Sequence, residues 1–150
     1  MKLKYKVLEL CENARAASLA LGSLDTESKN FVLFELAEDI IMQGGRIIDA
    51  NRKDIKAARG RLSDVLLKRL AVDEVKVKEM AEMVRSVAKL DDPSGKVLSV
   101  MELDEGLILK KVSVPIGVLC CIFESRPEVV VQISALALKS GNVVLLKGGS

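Results

Sequence analysis

Apolar residues recur at three- and four-residue steps through the first part of the chain, and the period then changes. Val7, Leu8, Cys11, Ala14, Ala17, Ser18 and Leu21 follow helical spacing, with Gly22-Ser23 as a stop. Asp25 or Thr26 can cap a second helix, whose run Phe31, Val32, Leu33, Phe34, Leu36, Ala37, Ile40, Ile41 predicts burial on more than one side before Gly44-Gly45 ends it. A central place in a helical bundle follows. A third helix is expected from about Arg46 to Arg59, carrying Ile47, Ile48, Ala50, Ile55 and Ala58, with Gly60 suited to the left-handed position after its end. Ser63 caps a short helix. Asp73 begins another, with Val77, Met80, Ala81, Val84, Val87 and Ala88 as its apolar face and Lys76, Lys78, Glu79, Glu82 and Arg85 as a solvated one. Asp91-Asp92-Pro93-Ser94-Gly95 breaks that pattern.

Beyond Gly95 the pattern reads as strands. Val97 to Met101 and Leu107 to Val114 flank Leu103-Asp104-Glu105-Gly106, a hairpin loop in which Gly106 can take a positive φ. Val118 to Phe123 is an almost wholly apolar strand, and Pro127 can open a helix through Val130, Ile133, Ser134, Ala137 and Leu138 up to Ser140-Gly141. Val143 to Leu146 returns as a second buried strand. Strand, crossover helix and strand make a βαβ unit, so the two strands are expected to be parallel. The fold class is α/β: a mainly helical segment over 1–95, a β-hairpin over 96–114, and the start of a parallel sheet over 115–150.

Composition narrows the chemistry. With 150 residues and 49% hydrophobic content the chain can bury a core. Lys and Arg number 23 against 21 Asp and Glu, and the net charge of +2 makes no case for nucleic acid or a membrane held by bulk electrostatics. Charges at Lys2, Lys4, Lys6, Glu9, Glu12 and Arg15 interrupt any signal-peptide core, and the uncharged run Val112 to Phe123 is too short to span a bilayer, so a soluble, cytoplasmic protein is expected. There is no histidine, and Cys11, Cys120 and Cys121 form no CxxC pair, which removes the usual zinc ligand sets and the commonest base for a hydrolytic triad. Cys120 and Cys121 point to opposite faces of a strand and, like Cys11 on its helix, read as small core hydrophobes.

In a doubly wound sheet ligands sit beyond the carboxyl ends of the strands, which singles out Glu124-Ser125-Arg126-Pro127 and Lys147-Gly148-Gly149-Ser150. Both turns are expected on one edge. The first lacks G-x-G-x-x-G, so the ordinary dinucleotide fingerprint is absent. Lys147, followed by two glycines, offers a cation and close backbone approach to ribose or phosphate oxygens, or is a solvated turn lysine. Arg126 beside a helix start offers a fork of donors to a phosphate or carboxylate, or forms a surface ion pair with Glu124 or Glu128.

Three blocks carry a family resemblance: Lys111-Val-Ser-Val-Pro-Ile-Gly-Val-Leu, Phe123-Glu-Ser-Arg-Pro, and Leu138-Lys-Ser-Gly-Asn-Val-Val-Leu-Leu-Lys-Gly-Gly-Ser. Upstream, Ala14-Arg15-Ala16, Lys29-Asn30, Ala50-Asn51-Arg52-Lys53-Asp54, Arg61-Leu62-Ser63, Lys68-Arg69-Leu70 and Asp92-Pro93-Ser94-Gly95-Lys96-Val97 follow in the same order. Together they resemble the glutamyl phosphate reductase family of the aldehyde dehydrogenase superfamily, across almost the whole chain. The resemblance implies the first βαβ unit of an aldehyde-dehydrogenase-like nucleotide-binding domain and an NADPH/NADP cofactor. Lys147 matches the superfamily's ribose-contacting lysine. By the same resemblance Ile122, Phe123, Glu124 and Ser125 line the nicotinamide side, and Gly149 or Ser150 lies near the adenosine. Glu124 to Arg126 stand where related dehydrogenases place an oxyanion-hole asparagine, so that role is not carried over, and Arg126 becomes the candidate for the acyl phosphate or the substrate carboxylate.

In the family a cysteine thiolate attacks γ-glutamyl phosphate, phosphate leaves, and hydride from NADPH yields glutamate semialdehyde on the way to proline. That nucleophile is expected downstream of Ser150. The 150 residues are therefore expected to be an incomplete domain without the catalytic one: a fragment, a truncated product or half of a split enzyme, inactive alone. A small-molecule substrate and either a homo-oligomer or a complementing catalytic fragment are the expected partners. The alternative is a non-catalytic helical and β-ribbon assembly module.

Overall fold

The computed structural model describes residues 2–148, so Gly149 and Ser150 lie outside the described residues. Five helices come first: α1 (Lys2–Gly22), α2 (Thr26–Met42), α3 (Gly44–Ala58), α4 (Asp64–Leu70) and α5 (Glu74–Ala88). A hairpin of β1 (Val97–Asp104) and β2 (Leu107–Val112) follows, then β3 (Val118–Ile122), α6 (Glu128–Lys139) and β4 (Val143–Lys147). The α/β class and the order of segments agree with the sequence pattern.

The caps explain the helix starts. Asp25 accepts from the Ser28 N–H at 2.7 Å, and Asp73 accepts from the Lys76 N–H at 2.8 Å, each satisfying an otherwise orphaned donor of the first turn. The Ser28 amide, backed by Lys29, also holds the Asp25 carboxyl below its ordinary range. Ser63 precedes α4 as expected but makes no side-chain cap bond. Gly60 takes φ 78 just after α3. Gly44 starts α3 as well as following α2, and it sits tightly against α5, where a Cβ on it would come within 3.1 Å of Val77 Cγ1.

The core lies where α2, α5 and α6 meet: Leu33, Ala37 and Ile40, then Val77, Met80, Ala81, Val84, Val87 and Ala88, then Ala135. All six apolar positions predicted for α5 are buried. Its charged face is less free than predicted. Lys76 Nζ donates to the carbonyls of Arg69 and Ala71, and Arg85 bridges Glu82 and, on α2, Glu38.

Three expectations need correction. On α2, Phe31, Val32, Phe34 and Ile41 are exposed, because α5 and α6 both meet the Leu33-Ala37-Ile40 stripe and no element among the described residues covers the other side. On α1, Val7, Leu8 and Cys11 are exposed and, among the residues whose burial is described, only Ala14 is buried, since this helix rests on β3 and β4 rather than on the helical core. The strands β3 and β4 are at most half-buried, and Cys120 is exposed, because they form a two-stranded sheet with no further strand among the described residues.

The hairpin is tighter than the pattern suggests: Asp104 pairs with Leu107, leaving Glu105-Gly106 as the turn, with Gly106 at φ 76. Every residue of β1 and β2 is exposed. Ser113 anchors the ribbon's root, its hydroxyl donating to the Pro93 carbonyl at 2.6 Å and accepting from the Lys96 N–H at 3.0 Å.

Candidate functional site

The site is fixed by strand register. Strands β3 and β4 pair in parallel, with Val118 opposite Val143 and Ile122 opposite Lys147. The Phe123 N–H continues the ladder by donating to the Lys147 carbonyl at 3.1 Å. Parallel pairing places both carboxyl ends at one edge, so the turn from Phe123 to Pro127 stands beside Lys147-Gly148, as the crossover rule predicts.

Within that edge Ile122 is exposed and Phe123 half-buried. The Phe123 ring lies beside Gly148, within 3.9 Å of where a Cβ on that residue would stand, an ordinary van der Waals distance. Ser125 holds φ 49, and it alone among the described non-glycine residues has a positive φ. That conformation costs about 1–2 kcal/mol and reverses the chain between β3 and α6. Glu124 is exposed.

Arg126 does not stand free. Its Nε donates to Glu128 Oε1 at 3.2 Å, which is one of the two ion pairs open to it from the sequence. More than half of its side chain remains in water, so the pair is weak and the fork stays accessible. The second oxygen, Glu128 Oε2, is buried without a hydrogen-bond partner. It borders a cavity of about 250 Å³ between α5 and α6, lined by Lys76, Glu79, Met80, Met83 and Gln132. Lys147 is exposed, its Nζ donating to the Gly148 carbonyl at 2.8 Å, and no salt bridge among the described residues engages it. An exposed ammonium, a side-chain-free Gly148 and an open turn on one edge suit a dinucleotide's ribose and phosphate oxygens. The predicted contacts of Gly149 and Ser150 lie outside the described residues.

The sequence reading missed two buried lysines that tie the helical core together, away from this edge. Lys139, on α6, donates to Asn30 Oδ1 on α2 and, at 2.9 Å, to the Ala88 carbonyl at the end of α5. Lys29 pairs with Asp92. Burial pushes the Asp92 carboxyl up, but hydrogen bonds from Lys29, the Ser94 N–H and Thr26 outweigh it and hold the group below its ordinary range. One signal was available: Lys29 is four residues before Leu33, and Lys139 four after Ala135, each on an apolar stripe. Among the described residues no cluster of His, Cys, Asp or Glu has the makings of a metal site, and no helix is long and apolar enough to cross a membrane.

Comparison with known proteins bears on both sequence and fold. No protein-family model matches the chain. A gamma-glutamyl phosphate reductase of Pelotomaculum thermopropionicum is 50% identical over 145 residues, covering 95% of this chain and 33% of the relative. The crystal structure of gamma-glutamyl phosphate reductase from Saccharomyces cerevisiae superposes with a TM-score of 0.90 at 41% identity, covering 95% of this chain and 36% of that one. A probable aldehyde dehydrogenase from Listeria monocytogenes matches at TM-score 0.69 and 13% identity, over 97% of this chain and 29% of its own, which shows the shared fold alone. The chain spans about one third of the length of the curated relatives it matches. Along nearly its whole length the chain is therefore similar, in sequence and in fold, to gamma-glutamyl phosphate reductases.

Proposed function

We propose that this chain is the amino-terminal, cofactor-binding part of an NADPH-dependent reductase that converts γ-glutamyl phosphate to glutamate 5-semialdehyde in proline biosynthesis. In this reading residues 1–150 are an incomplete nucleotide-binding domain, and the nucleophilic cysteine belongs to a catalytic domain absent from the chain. The pairing of Ile122 with Lys147 carries the proposal, because it brings the Phe123–Arg126 turn and the exposed Lys147 ammonium to one edge. Lys147 and the backbone at Gly148 hold the ribose and phosphate oxygens; Gly149 and Ser150 extend that contact. Ile122, Phe123, Glu124 and Ser125 border the nicotinamide half. The cofactor, when bound, supplies hydride. Arg126 exchanges Glu128 for the acyl phosphate or the substrate carboxylate, two anions that a guanidinium binds in forked geometry.

The test is Lys147→Met in a full-length reductase containing this segment. Loss of a charge-assisted hydrogen bond costs about 1.5–3 kcal/mol, so NADPH affinity falls about ten- to a hundredfold. Unaltered affinity by fluorescence titration leaves Lys147 a solvated turn residue. Arg126→Ala is expected to raise KM for the acyl phosphate more than for NADPH; the reverse pattern reassigns Arg126.

A second reading, an assembly module working through its β-ribbon, is favoured by one observation. Apolar residues are exposed along both strands of the hairpin, including Leu98, Val100, Met101, Leu107, Ile108 and Leu109. Removing Lys96 to Val114 and finding assembly unchanged in sedimentation would take that support away.

A further inference from the structure

We infer that Asn142 sets the register of the parallel pair and so acts as a positioning residue for the edge that carries Lys147. Its functional consequence rests on the cofactor reading above, while its structural claim does not. The problem it solves is plain from the sequence. Val118-Leu-Cys-Cys-Ile122 and Val143-Val-Leu-Leu146 are apolar at every position, so sliding one strand by a residue exchanges apolar groups for apolar groups on both faces. Side-chain pattern, which ordinarily fixes register, discriminates little here.

A polar pin at the start of the strands discriminates instead. Asn142 is 6% exposed, and its Oδ1 accepts from the Gly117 N–H at 2.8 Å. Its Nδ2 donates to the Ser140 hydroxyl at 2.8 Å and to the Ser140 carbonyl at 3.2 Å. The Asn142 backbone N–H donates to the Ala137 carbonyl at 2.8 Å and the Gly141 N–H to that of Leu138 at 3.1 Å, closing the last turn of α6 with Gly141 at φ 73. Asn142 is thereby fixed to the helix before the strand begins. On the other side the Gly117 carbonyl accepts from the Val143 N–H at 2.9 Å. One residue on β3's entry thus has both backbone groups taken up by Asn142 and its neighbour. A slip of β4 would strip the Gly117 N–H and the buried Oδ1 of their partners together. It would also move Lys147 from opposite Ile122, about 16 Å along the strand from Asn142.

The experiment compares Asn142→Leu, which keeps the volume but offers no acceptor, with Asn142→Asp, which keeps the acceptor and loses the donors to Ser140. In the 150-residue chain, below the concentration at which it self-associates, register is read from cross-strand nuclear Overhauser contacts between β3 and β4. Melting temperature is measured alongside, and NADPH affinity in the same variants of a full-length reductase containing this segment. Asn142→Leu is expected to lose the Ile122–Lys147 contacts and to bind NADPH about tenfold more weakly. Asn142→Asp is expected to keep the parental register and affinity, even with a lower melting temperature. A parental register in Asn142→Leu overturns the inference, and so does a shifted one in Asn142→Asp. If Asn142→Leu does not fold, Asn142→Asp decides: parental contacts support the inference and shifted ones sink it. If a full-length reductase containing this segment binds no NADPH the cofactor reading fails, while the cross-strand contacts still decide the register.

Discussion

An ammonium taken out of water must find acceptors, and Lys139 finds two in the last places a helical packing would leave unsatisfied. The Ala88 carbonyl is one of the orphaned acceptors at the end of α5, and Asn30 Oδ1 comes from the neighbouring α2. Replacing Lys139 with Met keeps the stem and strands both acceptors, so unfolding by urea is expected to show a loss of about 1–3 kcal/mol. Asp92, in the loop after α5, makes a pH-dependent counterpart through Lys29 and Thr26 of α2. Its carboxyl titrates below its ordinary value in the folded chain, so the unfolded chain binds more protons in acid. The stability it contributes is present above about pH 3.9 and is lost as pH falls through the lower folded value. Asp92→Asn is expected to lower the melting temperature at neutral pH and to flatten its decline in acid. An equally steep decline in the variant would mean that other carboxylates carry it. Both residues sat in motifs legible from the sequence, yet their partners are far along the chain, and no local pattern names a partner.

Among the elements, the helix that the sequence described best is α5, because one strong periodic face and a capping Asp73 agree on where it starts and what it buries. The α2 reading failed on its second side for the opposite reason: an apolar run shows what is able to be buried, while neighbours decide what is. The turn from α6 into β4 shows how closely elements are fitted. A Cβ on Gly141 would come within 2.8 Å of Pro115 Cγ, at φ 73, where side chains are strained in any case. Gly141→Ala is expected to cost at least about 1–2 kcal/mol, read as a shift in denaturation midpoint. A neutral outcome would mean that the Pro115 segment moves aside freely, and would weaken the case that α6, β3 and β4 meet in a single fixed junction.

Taken whole, the molecule has a helical core with two incompletely covered β elements attached. Strands β3 and β4 pair only with each other among the described residues, and the hairpin exposes apolar side chains along its length. Unpaired strand edges and apolar surface favour association, so light scattering is expected to show self-association rising with concentration. Deleting Lys96 to Val114 is expected to reduce it. A monomer that unfolds cooperatively and stays soluble at high concentration would contradict this. The amino-acid order was enough to place five helices, a hairpin and a βαβ unit, since hydrophobic period and capping residues act within a few positions of each other. It was enough, too, to mark the turns at Arg126 and Lys147, because glycines and charges stand out after apolar strands. Tertiary structure alone decided that Ile122 faces Lys147, that Arg126 rests on Glu128, and that two lysines are buried against Asp92 and Asn30. Each of those depends on groups brought together by packing, and the free energy of such a contact is set by distance and exposure, quantities that have no value until the chain has folded.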